Sequence, residues 1–165
     1  MNEKFSDMNK APADAHYERD KDPERLKQIS ELINTPRRIS MRYEGENIQL
    51  EYIEVPAKEK AEGKEKVIVI IPGFSASYIP FGNTVKELAQ YMGDHRIICL
   101  SPLDSGNSSS LKDSSLEKMN EVYLKAFEEL NINPDTAEAT VVGHSRPDII
   151  TLDLARSHPV VIQHS

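Results

Sequence analysis

Two kinds of apolar pattern along the chain predict β-strands. In residues 39–43 and 48–52 apolar side chains alternate with polar ones, which predicts a β-hairpin with one buried face and residues 44–47 as its turn. Residues 67–71 are apolar without alternation, as expected of a central parallel strand covered on both faces. Shorter apolar runs at 97–100, 140–142 and 160–162 predict three further buried strands.

Apolar residues at helical spacing predict helices before and between these strands. Asp22, followed by a proline, is a typical helix start. We expect this first helix to pack on the domain as an extension, with a docking helix as the alternative. Residues 83–92 and 114–130 each carry an amphipathic stripe, and Ser114 and Glu117 predict a capping box at the start of the second.

The order of elements predicts the fold class. A hairpin, three strand–helix repeats and a last strand indicate an α/β fold, a three-layer, mostly parallel sheet with helices on both faces. Right-handed crossovers bring the loops that follow the parallel strands to one edge, where such sheets bind ligands. We assign residues 1–21 to a disordered arm, 22–37 to a helix and linker, and 38–165 to the α/β domain.

Gly143, His144 and Ser145 lie between a predicted strand and a segment of helical length. This is the layout of a nucleophile elbow, a sharp turn that holds a serine hydroxyl out of the sheet. The three residues match the first three positions of the G-x-S-x-G motif, and the chain resembles the α/β-hydrolase family, serine hydrolase type. Pro147 replaces the second glycine. Because a proline disfavours helical backbone in the residue before it, we expect a modified elbow that forms with strain.

The resemblance implies an acyl-transfer site. Ser145 would be the nucleophile, and the backbone N–H groups of Phe74 and Arg146 would form the oxyanion hole. Pro72 and Gly73 stand where the family has a His-Gly pair just before the first of these donors. The implied substrate is a small ester-like or other acyl molecule, and no cofactor or metal is implied.

A substrate pocket is the implied role of the aromatic residues beside this loop. Phe74, Tyr78 and Phe81 follow the predicted central strand and would line an acyl pocket. The alternative is that these side chains only pack the start of the next helix.

The family's catalytic acid and histidine come after the nucleophile in chain order. This chain stops just after the expected sixth strand, so the resemblance implies an incomplete fold whose triad acid and histidine are absent from the chain. We interpret His95 as solvated and His144 as structural. An exposed edge strand would favour self-association. The alternative to catalysis is a fragment or degenerate member that binds a ligand or partner, and a nucleotide-binding domain is weakest because no phosphate-binding glycine motif occurs.

Composition limits the partners. The chain has 165 residues and a formal net charge of −7, which fits one acidic domain and argues against nucleic-acid binding. Cys99 is the one cysteine and lies in an apolar run, so we expect a core thiol and a reducing, cytoplasmic location. The sequence has no apolar stretch of membrane-spanning length and no metal-ligand spacing.

Overall fold

The computed structural model describes residues 18–73, 76–144 and the backbone of 161–163. Helix α1 precedes a hairpin of β1 and β2, and strands then alternate with helices α2 and α3. The predicted helix after Ser145 lies outside the described residues. The bounds are α1 Pro23–Ile33, β1 Arg37–Tyr43, β2 Glu46–Val55, β3 Glu65–Ile71, α2 Gly82–Tyr91, β4 His95–Leu100, α3 Leu116–Glu129, β5 Ala137–Gly143 and β6 Val161–Gln163, with a 3₁₀ turn at Ile79–Phe81 before α2.

The strands of the described chain form one sheet in the order β1-β2-β4-β3-β5-β6. The pairs β1–β2 and β2–β4 are antiparallel, and β4, β3, β5 and β6 run parallel to one another. This confirms the predicted mostly parallel sheet with an antiparallel hairpin at one end. In the described chain β6 has β5 as its neighbour, and self-association along β6 stays a prediction.

The sheet separates two apolar cores, which confirms the predicted three layers. On one face α3 packs through Tyr123 and Ala126, and on the other α1 and α2 pack through Ile29 and Val85. Strand β3 contributes to both cores. Val67, Val69 and Ile71 lie in the α3 core, whereas Ile68 and Ile70 lie in the α1/α2 core. This two-sided burial is the reason why β3 has no polar alternation.

The hairpin has a tighter turn than the sequence predicted. Its turn is Glu44 and Gly45, with φ of +47° and +82°, and Glu46 already pairs with Tyr43. Two turn residues with positive φ match the right-handed twist of the strands they join. The predicted turn of residues 44–47 was therefore two residues too long, although the predicted buried face is confirmed.

The helix starts are partly as predicted. Asp22 caps α1, since its side chain accepts a hydrogen bond from the backbone N–H of Glu24. The predicted capping box of α3 was wrong by one residue, because Ser115 has the extended backbone of a cap and accepts from the N–H of Lys118. Glu117 then occupies the second helical position, not the third that the box requires.

Residues just before α1 bind to α2. The backbone N–H of Asp20 donates to the carbonyl of Gln90 at 2.8 Å. Arg19 donates to the side chains of Gln90 at 2.6 Å and Glu87 at 2.9 Å. Residues 18–20 belong to the predicted arm of 1–21, and these bonds hold them against the domain. The α1 helix itself packs on β2 and α2, as expected of an extension of the fold.

Candidate active site

The carboxyl ends of β3 and β5 lie side by side. The two strands pair in parallel as far as Ile71 and Gly143, and the N–H of His144 donates to the carbonyl of Ile71 at 3.2 Å. Pro72 and Gly73 continue β3 as buried backbone. The next residue after Gly73 is Phe74, and the next after His144 is Ser145. The two paired strands therefore lead directly to the predicted nucleophile and to a predicted oxyanion donor.

Three predicted site residues lie outside the described residues. These are Ser145, Phe74 and Arg146, and Pro147 lies outside them too. The nucleophile and the oxyanion hole stay predictions.

Tyr78 and Phe81 are described, and they pack where the α1/α2 core reaches this edge. Both are partly buried, and the Phe81 ring lies edge-on to the ring of His144 with 6.1 Å between centroids. This is the packing that the helix-start alternative predicts. A role for either ring in a substrate pocket stays a prediction.

The loop after β4 covers part of the open edge of β2. Strand β4 pairs only with residues 52–55 of β2. Next along that edge, the N–H of Ser101 donates to the carbonyl of Glu51 at 2.8 Å, and Ser109 exchanges bonds with Gln49. The N–H of Glu51 donates to the hydroxyl of Ser108 at 3.0 Å. Serine hydroxyls thus satisfy strand-edge groups that would otherwise lack partners.

Glu51 lies on β2 at the part that the loop after β4 covers, and it is buried, with 4% of the residue exposed. Its Oε2 accepts from the side-chain amide of Asn107 at 2.8 Å. Burial raises the pKa of the Tyr78 hydroxyl, and the negative charge of Glu51 adds to that rise. Glu51 was not predicted to be buried, because a charged residue between Leu50 and Tyr52 fits the outward position of an alternating strand.

The prediction that His95 is solvated was wrong. Its side chain is 16% exposed, and its Nδ1 lies 2.7 Å from Asp94, which also pairs with Lys66. Lys66, and to a smaller degree His95, lower the pKa of Asp94. The Asp94–His95 pair resembles two members of a triad, but it lies at the N-terminal end of β4. The length of that strand, roughly 16 Å, separates it from the edge where β3 and β5 end.

His144 is exposed and lies against Phe81, in agreement with a structural role.

The described residues include no group of three or more His, Cys, Asp or Glu placed to hold a metal ion. A surface groove of about 630 Å³ runs along α2 and includes Leu88 and Tyr91 in its lining. Its lining contains neither Tyr78 nor Phe81. Among the helices that the structure describes, none is both long and apolar enough to cross a membrane.

The sequence matches no protein-family model and no curated protein. Several solved structures are similar in fold. A probable hydrolytic enzyme from Pseudomonas aeruginosa aligns with a TM-score of 0.64 at 20% identity over 78% of this chain. An alpha/beta hydrolase enzyme from a Medee basin deep-sea metagenome library aligns with a TM-score of 0.57 at 22% identity over 75%. The chain has an α/β-hydrolase-like fold.

A third similar structure is the thioesterase domain from the curacin biosynthetic pathway, with a TM-score of 0.59 at 19% identity over 78% of this chain. The chain spans only 40–42% of the length of these three solved proteins. At such identities the likeness establishes the fold, and chemistry has to be argued from the site.

Proposed function

We propose that this α/β-hydrolase-like chain carries the nucleophile half of a serine hydrolase site for small ester-like or other acyl substrates. The main support is the parallel pairing of Ile71 with Gly143 and the bond from the His144 N–H to the Ile71 carbonyl. This pairing brings the segments that lead to Phe74 and Ser145 to one edge of the sheet. Ligands of parallel α/β sheets bind at this edge.

In the proposed reaction, the Ser145 hydroxyl oxygen bonds to the acyl carbon of the substrate. The carbonyl oxygen becomes an oxyanion, which the backbone N–H groups of Phe74 and Arg146 stabilise. The alcohol or thiol leaves with a proton, and water then releases the acyl group from Ser145. Tyr78 and Phe81 are the described aromatic residues nearest to this loop in sequence and are proposed to contact the acyl chain.

The proposed reaction also needs an acceptor for the proton of the Ser145 hydroxyl. Neither histidine of the described ranges fits the role, since His144 packs on Phe81 and His95 lies at the other end of β4. We therefore propose that neither of these two described histidines is the base that activates Ser145. The same observation favours the second candidate function, a non-catalytic module that binds a ligand or a partner.

A fluorophosphonate probe tests the proposal. Attack by Ser145 forms a bond from its oxygen to phosphorus, breaks the P–F bond, and releases fluoride and the hydroxyl proton to solvent. We expect slow labelling of the wild-type chain and none of Ser145→Ala. If Pro147→Gly is labelled and wild type is not, the modified elbow is the cause of the wild type's inactivity. A folded chain in which neither wild type nor Pro147→Gly is labelled would contradict the catalytic proposal and support the binding module.

A further inference from the structure

Glu51 lies on β2, outside the strands that carry the proposed nucleophile and oxyanion donor, yet contacts from it reach the loop after β3. The carboxylate accepts from Asn107, which follows Gly106 in the loop after β4. Gly106 lies between three groups. A Cβ at this position would be 3.1 Å from the Cβ of Ser77, 3.6 Å from the Ser101 hydroxyl oxygen and 3.7 Å from Oε1 of Glu51.

A second set of contacts runs beside the first. The Ser101 hydroxyl accepts from the backbone N–H of Tyr78 at 3.1 Å. The carbonyl of Ser101 accepts from the Ser108 hydroxyl at 2.9 Å, and that hydroxyl in turn accepts from the N–H of Glu51. The first set begins at the Glu51 carboxylate and ends at Ser77, whereas the second begins at the Glu51 backbone N–H and ends at Tyr78. These residues directly follow Ala76, whose N–H donates to the carbonyl of Gly73 at 3.0 Å.

The burial of Glu51 is costly unless its carboxylate is hydrogen-bonded. No salt bridge found among the described residues includes Glu51, so its bond to Asn107 is the polar contact that the structure gives to the carboxylate. A neutral apolar residue would fill the same place between β2 and the loop without that cost. The carboxylate does what an apolar side chain cannot, because it orients Asn107 and with it the turn at Gly106.

We infer that Glu51 is a positioning residue, whose carboxylate holds the turn at Gly106 in the loop after β4 and, through that turn, Ser77 and Tyr78 in the loop after β3. Phe74, the oxyanion donor of the proposed function, lies between Gly73 and Ser77 in sequence, so we expect the same restraint to affect its backbone N–H. The part of the inference that concerns Phe74 rests on the proposed function. The part that concerns Tyr78 does not.

Amide hydrogen exchange tests the second part without any chemistry at Ser145. In Glu51→Leu we expect the Tyr78 amide to exchange about ten-fold faster than in wild type, because local opening of the loop becomes easier. Amides in α3 should keep their protection. Glu51→Gln keeps an acceptor for Asn107 and should retain most of the Tyr78 protection.

Two further variants keep the test decisive if Glu51→Leu fails to fold. Asn107→Ala removes the same bond from an exposed residue and should also speed exchange at Tyr78. Gln49→Leu is the matched control, since Gln49 lies two residues along β2 on the same face, whereas the Asn107 amide donates to Glu51. Unchanged exchange at Tyr78 in folded Glu51→Leu or Asn107→Ala, or equal acceleration in Gln49→Leu, would overturn the inference.

The rate of fluorophosphonate labelling tests the link to Phe74. If wild type is labelled, Glu51→Leu should be labelled about ten-fold more slowly and Glu51→Gln within about two-fold of wild type. Equal labelling rates in wild type and Glu51→Leu would remove the role at the oxyanion hole. If neither wild type nor Pro147→Gly is labelled, the proposed function fails, and the exchange at Tyr78 still decides whether Glu51 positions the loop.

Discussion

At the scale of single residues, Gly106 has a backbone conformation and a location that both disfavour a side chain. Its φ is +57°, and an added Cβ would lie 3.1 Å from the Cβ of Ser77. Gly45 has a φ of +82° with no atom within 4 Å of an added Cβ. A substitution there adds backbone strain without crowding, which makes Gly45 the control for Gly106. Left-handed backbone costs an alanine about 1 kcal/mol, and tight contact adds to that cost.

We predict that Gly106→Ala lowers the free energy of unfolding by about 2 kcal/mol and Gly45→Ala by about 1 kcal/mol. Urea denaturation of both variants measures this difference. If both variants lose the same free energy of unfolding, Ser77 moves away from the added methyl group at no cost. The approach of Gly106 to Ser77 then does not restrain the loop after β3.

At the scale of elements, the start of α3 offers a prediction with an internal control. Ser115 accepts from the N–H of Lys118, and Asp113 accepts from the N–H of Ser115 at 2.9 Å. Ser115→Ala should lower the free energy of unfolding by about 1 kcal/mol, whereas Ser114→Ala should change it by less than about 0.5 kcal/mol. Thermal or urea unfolding measures both. A larger loss of unfolding free energy in Ser114→Ala than in Ser115→Ala would show that Ser114 is the helix cap, as the sequence pattern predicted.

These elements also show what local sequence predicts and what it leaves open. The uninterrupted apolar run of β3 predicted a strand buried on both faces, and both cores contain its side chains. The cap of α3 was misassigned because Ser114 and Ser115 are equally good caps by type, and the backbone before the helix decides between them. Glu51 is buried, and its carboxylate has its hydrogen-bond donor in Asn107, 56 residues away. No local pattern carries that information.

At the scale of the whole molecule, alkaline pH should weaken the folded state through Tyr123. Its ring is fully buried, its hydroxyl accepts from the N–H of Leu103 at 3.2 Å, and burial raises its pKa from 10.0 to about 12. The neutral phenol is therefore favoured by folding. Its contribution to stability is fully present below about pH 10 and is lost as the pH rises toward 12.

We predict that Tyr123→Phe is less stable than wild type by about 1–3 kcal/mol at neutral pH, because the buried Leu103 N–H loses its partner. Above about pH 10 the gap between the two proteins should narrow, since the variant has no phenol to ionise. Urea midpoints at several pH values measure this. A gap that stays constant up to pH 12 would contradict the assigned shift.

The mostly parallel sheet with helices on both faces was predictable from the order of elements, and so was the edge at which a site was expected. The nucleophile elbow was inferred from residues 143–145 and their setting between a strand and a helical segment, and the described part of β5 ends where that inference requires. The partners of the serine were not predictable, because a triad joins residues that are distant along a chain. The Asp94–His95 pair illustrates this, because the two side chains are of suitable type and contact each other but lie at the end of β4 that is far from the expected site.

The most direct test of the central claim is to map the residue that carries a fluorophosphonate adduct, by peptide mass spectrometry of the folded chain. We predict an adduct on Ser145 and none on Ser101 or Ser108, whose hydroxyls hydrogen-bond to backbone groups of the loops after β3 and β4 and of β2. An adduct on one of those serines, or none on Ser145 in the wild type and in Pro147→Gly, would contradict the central claim.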